Sequence, residues 1–119
     1  MDLQIVNVHV KGDEDSEYVY LKVLSDCNLH YYAIADTSYT DDHHISNALR
    51  HFFWFPKKEV KAGDYVSLRT GKGKNIAITN DAGHKIHRFY WGLNEPVWNN
   101  DGDAAVLFQV NSWKTTRAI

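Results

Sequence analysis

A chain of 119 residues, 44% hydrophobic and 24% charged, has the size and composition of one globular domain, which excludes a disordered tail and a disulfide scaffold. Its single cysteine, Cys27, rules out an internal disulfide, and a reducing compartment is the simplest setting. The formal net charge of -2 conceals an asymmetry: residues 1–56 carry three Lys/Arg against nine Asp/Glu, and residues 57–119 carry ten against six.

The N-terminus has no basic region and alternates polar with apolar residues, so no export signal is expected. No stretch approaches the roughly 18 uninterrupted apolar residues of a membrane span, and a soluble, cytoplasmic protein is the expectation. Residues 4–10 place Val6, Val8 and Val10 on one face, and residues 18–23 do the same with Val19, Leu21 and Val23. Each alternation predicts a half-buried strand, with the acidic turn Lys11-Gly12-Asp13-Glu14-Asp15-Ser16 between them. A third strand is expected at residues 29–34, entered through Ser25-Asp26-Cys27-Asn28, whose short polar side chains favour turns.

Only residues 41–50 have a helical pattern, with Asp41 and Asp42 as caps and Ile45, Ala48 and Leu49 on one face, and it predicts one to two turns. Residues 49–55 return to extended, aromatic sequence closed by Pro56, which cannot donate to a ladder. After a turn at residues 60–63, residues 65–69 form a strand with Val66 and Leu68 on one face. The flexible basic loop Thr70-Gly71-Lys72-Gly73-Lys74-Asn75 follows. Residues 76–79 read as a short edge strand, residues 87–91 as extended, and the turn Asn99-Asn100-Asp101-Gly102-Asp103 as the entry to an apolar strand at residues 104–110. Short strands with turns this regularly spaced predict an all-β sandwich or barrel in a single domain, 1–119, with at most one short helix.

In chain order, several segments resemble the lamin-tail domain. Glu17-Tyr18-Val19-Tyr20-Leu21-Lys22 is similar to that family's E-Y-V-x-L strand, and Leu29, Tyr32, Ile34 and Asp36 to its L-x-x-W-x-L-x-D strand. Phe55-Pro56 and Ala62-Gly63-Asp64-Tyr65-Val66 resemble the F-P and P-G-x-x-V stretch. Trp98-Asn99-Asn100-Asp101-Gly102-Asp103, with Ala105 and Leu107, resembles the W-N-N-x-G-D-x-V-x-L hairpin. Three departures stand out: Tyr31 where the family has glycine, Ala62 where it has proline, and a longer connection over residues 37–50. The resemblance spans roughly residues 3–112 and implies an immunoglobulin-like β-sandwich, not itself an enzyme, of a kind that contacts proteins and chromatin or is attached to enzymes or surface proteins as an accessory module.

The residues carry little readable catalytic chemistry. Cys27 has no basic neighbour in sequence to lower its pKa, and no nucleophile elbow or phosphate loop occurs. His43, His44, His84, His87 and Asp81 could bind a metal only if two loops meet, which keeps a small metal-dependent hydrolase as the alternative reading. Asn99, Asp101 and Asp103 mimic the start of a calcium loop, but Ala104 and Val110 stand where its glycine and glutamate belong. No cofactor is expected. Lys57, Lys58, Lys61, Arg69, Lys72 and Lys74 form a basic stretch able to meet a nucleic acid or other polyanion weakly. Among 16 aromatic residues, Tyr18, Tyr20, Trp54 and Tyr90 fall opposite the expected core positions, together with Arg88. Surface aromatics with arginine are typical anchors of protein contacts, so a protein partner or a homo-oligomer is the leading expectation.

Overall fold

The computed structural model describes residues 1–10, 12–38, 49–98 and 102–119. Its strands are β1 (Leu3–His9), β2 (Tyr18–Val23), β3 (Cys27–Asn28), β4 (Tyr32–Ser38) and β5 (Phe52–Trp54), followed by β6 (Glu59–Val60), β7 (Tyr65–Arg69), β8 (Ile76–Thr79), β9 (Lys85–Tyr90) and β10 (Asp103–Gln109). A large sheet runs β1-β2-β7-β9-β8, a small sheet runs β10-β4-β5, and β3 pairs with β6. All pairings are antiparallel except β7 with β9. The chain is an all-β, sandwich-like fold, as its alternating sequence predicts. Among the described residues the only helical segment is a 3-10 turn at Leu29–Tyr31, started by Asn28, whose side chain accepts from the His30 N–H. The helical passage expected at residues 41–50 lies, but for its last two residues, outside the described residues.

The core forms where the inner faces meet. Leu3, Val19, Leu21, Val23, Val66, Leu68 and Phe89 come from the large sheet, and Ile34, Leu29, Phe55, Val60, Val97 and Trp98 come from the small sheet and its connections. Burying an aliphatic or aromatic side chain of this size contributes about 1.5–3 kcal/mol. β4 is central in its sheet and is buried from Tyr32 through Thr37, so it reads as a continuous run rather than an alternation.

β1 differs from its sequence reading. A bulge interrupts its pairing with β2 between Ile5 and Asn7, so Leu3, Ile5 and Val8 face the core while Val6 and Val10 stand exposed. One extra residue reverses the alternation, and the uniform Val6-Val8-Val10 face therefore does not form.

Two buried carboxylates tie distant segments together. Glu17 Oε2 accepts from Thr70 Oγ1 at 2.7 Å, Val97 N at 3.0 Å and Trp98 N at 3.1 Å, clamping the start of β2 to the segment that leads toward β10. Asp36 receives the His51 backbone N–H at 2.6 Å and lies 3.0 Å from His51 Nδ1, which holds the chain entering β5 against β4.

Candidate partner-binding face

The outer face of the large sheet follows from strand parity. Register aligns Tyr18, Tyr20 and Lys22 of β2 with Arg69, Ser67 and Tyr65 of β7, and these with Tyr90, Arg88 and Ile86 of β9. On the flanks, Gln4, Asn7 and His9 of β1 and Ile76 and Ile78 of β8 complete the face. None of these outward positions is an aspartate or glutamate.

The side chains pack on one another and form a continuous ladder. The rings of His9 and Tyr18 stack at 4.6 Å, Tyr18 meets Tyr20 edge-on at 6.3 Å, and Tyr20 stacks on Tyr65 at 5.1 Å. The Arg69 guanidinium lies 5.1 Å from the Tyr18 ring centroid, a cation–π contact. Burial, followed by the Tyr65 and Tyr18 phenols, pushes the Tyr20 hydroxyl above its ordinary pKa. These rings are half-buried by their neighbours and keep one edge toward solvent.

The basic loop joins this face. A Cβ at Gly73 would stand 2.4 Å from the Tyr90 ring, so only glycine lets the loop pass this closely. Asn75 Oδ1 accepts from the Tyr90 N–H at 3.1 Å and pins the loop's end. Lys72 and Lys74, both exposed, thereby flank the aromatic ladder.

The structure thus brings Tyr18, Tyr20, Arg88 and Tyr90 onto one surface with Arg69 and places Lys72 and Lys74 beside it. Trp54 belongs to the small sheet, where it stacks on His30 at 4.4 Å and donates its indole N–H to the His30 carbonyl at 2.7 Å. Trp113 packs edge-on against Trp54 at 5.2 Å, so that ring is partly covered by the chain's own C-terminal segment. Lys57, Lys58 and Lys61 lie apart from the ladder, around β6, and Lys61 pairs with Asp26 at 3.6 Å. His9 is not among the face residues expected from the sequence, although the Val8–Val10 alternation already turns it outward; its stacking on Tyr18 depends on the pairing of β1 with β2. Tyr65 is not among them either, although its alternation with Val66 and Leu68 turns it outward.

The histidines gather differently from the sequence expectation. His84 and His87 meet at Asp64 rather than Asp81: His87 Nε2 is 3.0 Å and His84 Nδ1 3.9 Å from its carboxylate. The group borders a cavity of about 400 Å³ that Lys58, Lys61 and Lys85 also line. Burial opposes ionisation of Asp64, but hydrogen bonds from His87 and from the Lys85 and Lys61 backbone N–H groups outweigh it and hold its pKa below the ordinary value. Gly63, at φ +91°, makes the turn that presents Asp64, and a Cβ there would lie 2.5 Å from the His84 ring. Among the described residues no three His, Cys, Asp or Glu side chains form a metal-binding group. His43 and His44 lie outside the described residues, as do Asn99 and Asp101 of the calcium-like turn. Burial, with Asp2, Glu59 and Asp26 adding, pushes the Cys27 thiol up to about 11, which keeps it protonated at neutral pH.

No family model matches the chain, and no curated protein is significantly similar to it. Among the described residues, no helix is long and apolar enough to cross a membrane.

Proposed function

We propose that this chain is a non-catalytic interaction module of the lamin-tail type, which takes an acidic segment of a protein partner on the outer face of its large sheet. The observation that carries this reading is the Tyr-His-Arg ladder, half-exposed and bordered by Lys22, Lys72 and Lys74, with no carboxylate among the outward strand positions. Tyrosine supplies large, rigid contact area at small entropic cost, and arginine supplies a planar fork that matches carboxylates. The lamin-tail assignment is supported by the Glu17 clamp, which joins two motif segments through the Trp98 N–H.

A polyanion contact is a second reading, favoured by the closure of the basic loop on Tyr90, which sets lysines beside stackable rings. A metal-dependent hydrolase has less support, because His87 Nε2 is committed to Asp64 and the cavity around it is rimmed by lysines that disfavour a cation.

The test is affinity capture on wild-type protein and on Tyr20→Ser, Arg88→Glu and Trp54→Ser variants. The expected result is a protein whose capture is lost with the first two, retained with the third, and weakened by salt. Capture indifferent to Tyr20 and Arg88 would sink the proposal. Binding of heparin or DNA alone, declining with salt, would favour the polyanion reading instead.

A further inference from the structure

The two edges of the large sheet are built differently. β1 carries its bulge at the edge, a device that turns an exposed strand away from further pairing. β8 carries none: Ile76–Thr79 pairs with β9 in unbroken register, all its residues are exposed, and it contains no charge and no proline. Among the described residues no strand lies along its other side. Ile76 and Ile78 are 45% and 39% exposed, which leaves apolar area uncovered beside unpaired backbone groups.

The direction of those backbone groups can be derived. Asn80 N–H donates to the His84 carbonyl at 2.8 Å, just beyond the end of β8. Opposed residues of an antiparallel pair alternate between bonded and non-bonded, so Ile78 and Ile76 turn their N–H and C=O groups toward Ile86 and Arg88. Ala77 and Thr79 therefore turn theirs to the open edge.

We propose that β8 pairs antiparallel with β8 of a second copy about a two-fold axis through Ala77. In this register Ala77 faces itself as a bonded pair, and Ile76 of each copy lies opposite Ile78 of the other on the outer face. Lys74, just before the strand, comes level with Asn80 of the second copy and beside its Asp81. A shift of one residue would set isoleucine against threonine and turn the outer face of one copy into line with the inner face of the other. An axis through Ile78 would also keep the faces aligned, but it sets each Ile76 against Asn80 and loses both Ile76–Ile78 pairs, so the axis through Ala77 covers the most apolar area and gives the self-complementary contact that two-fold symmetry requires. The two outer faces become one continuous surface carrying two aromatic ladders. The inference rests on the edge alone and stands whether or not the face binds a partner.

Sedimentation velocity on the full chain should show a concentration-dependent monomer–dimer equilibrium. Ile76→Lys with Ile78→Lys should weaken it at least tenfold, with an unchanged circular dichroism spectrum because both side chains are exposed. In a Cys27→Ser background, Ala77→Cys should form an intermolecular disulfide on mild oxidation, since a bonded pair brings Cα atoms to about 5.5 Å, within disulfide reach. Ile78→Cys should not, because each copy presents Ile76 to it. Wild-type protein monomeric at about 1 mM, dimers indifferent to the lysine pair, or equal cross-linking at both positions would overturn the proposal; if the lysine variant fails to fold, the cysteine pair decides alone.

Discussion

The sandwich has an aromatic surface on each of its two outsides, and the two are built on different principles. On the small sheet, Ala33 and Ala35 lie beneath Phe52, Trp54 and Phe108, with Phe52 5.9 Å from Phe108 and Trp113 folded back on Trp54, His30 and Tyr31. Aromatic rings there cover small side chains, and Trp113 packs on Trp54 while Phe52 and Trp54 stay 52% and 38% exposed. On the large sheet the rings stand on a face with arginines and lysines, ordered by stacking and left with free edges. Exposure of an aromatic residue therefore does not by itself single out a binding surface, since Phe52 and Trp54 are more exposed than the half-buried ladder; the accompanying arginines and lysines set the large sheet apart.

The largest effect should come from the element common to both surfaces. Glu17 links the start of β2 on the large sheet to the Val97–Trp98 segment, and its replacement by alanine leaves two buried N–H groups and the Thr70 hydroxyl without their acceptor. Urea unfolding of Glu17→Ala should show a loss of about 3–5 kcal/mol, since charge-assisted bonds are strong and each orphaned donor adds its own desolvation penalty. A loss below about 1 kcal/mol, on the scale of a surface substitution, would mean that the two sheets are not held together through this carboxylate.

Much of this was legible in the sequence, for identifiable reasons. Alternation placed Val19, Leu21, Val66 and Leu68 inward and, by parity, Tyr18, Tyr20 and Tyr65 outward, because a period of two is all that a strand with one wet face needs. The edge strand at residues 76–79 was readable from its short apolar run between turns. Trp54 was misgrouped because parity identifies the face of a strand but not the sheet it joins, and that depends on pairing between β4 and β5. The partners of His84 and His87 were hidden for a related reason: Asp64 is distant in sequence and reaches them through the Gly63 turn and the parallel pairing of β7 with β9.

Asp64 gives the middle effect and sharpens the contrast, since it sits at the rim of the large sheet one residue before Tyr65 but turns its carboxylate to His87 rather than to the ladder. Its folded pKa is depressed, so its contribution is present above the unfolded value near 4 and is lost as pH falls through the lower folded value. At pH 7, Asp64→Asn should cost about 1–2 kcal/mol by weakening the bonds from His87 and two backbone N–H groups. Followed by chemical unfolding from pH 7 to pH 3, the gap between wild type and variant should narrow below about pH 4. A constant gap would place the cost in packing rather than in the charge. Partner capture should be unchanged in this variant.

The smallest effects compare the two surfaces directly. Tyr20 with Tyr65 on the large sheet and Trp54 with Trp113 on the small sheet are ring pairs at nearly equal separation, 5.1 and 5.2 Å. Double-mutant cycles to alanine should return coupling of about 0.5–1 kcal/mol for each, because aromatic pairs contribute this much beyond the area they bury. Stability therefore should not separate them, and binding should. Loss of Tyr20 or Tyr65 should weaken partner capture severalfold or more, whereas loss of Trp113 should only free the Trp54 ring and shift its fluorescence to longer wavelength. If Trp113→Ala instead strengthens capture of the same partner, the C-terminal segment competes for it, and the small sheet rather than the ladder is the docking surface.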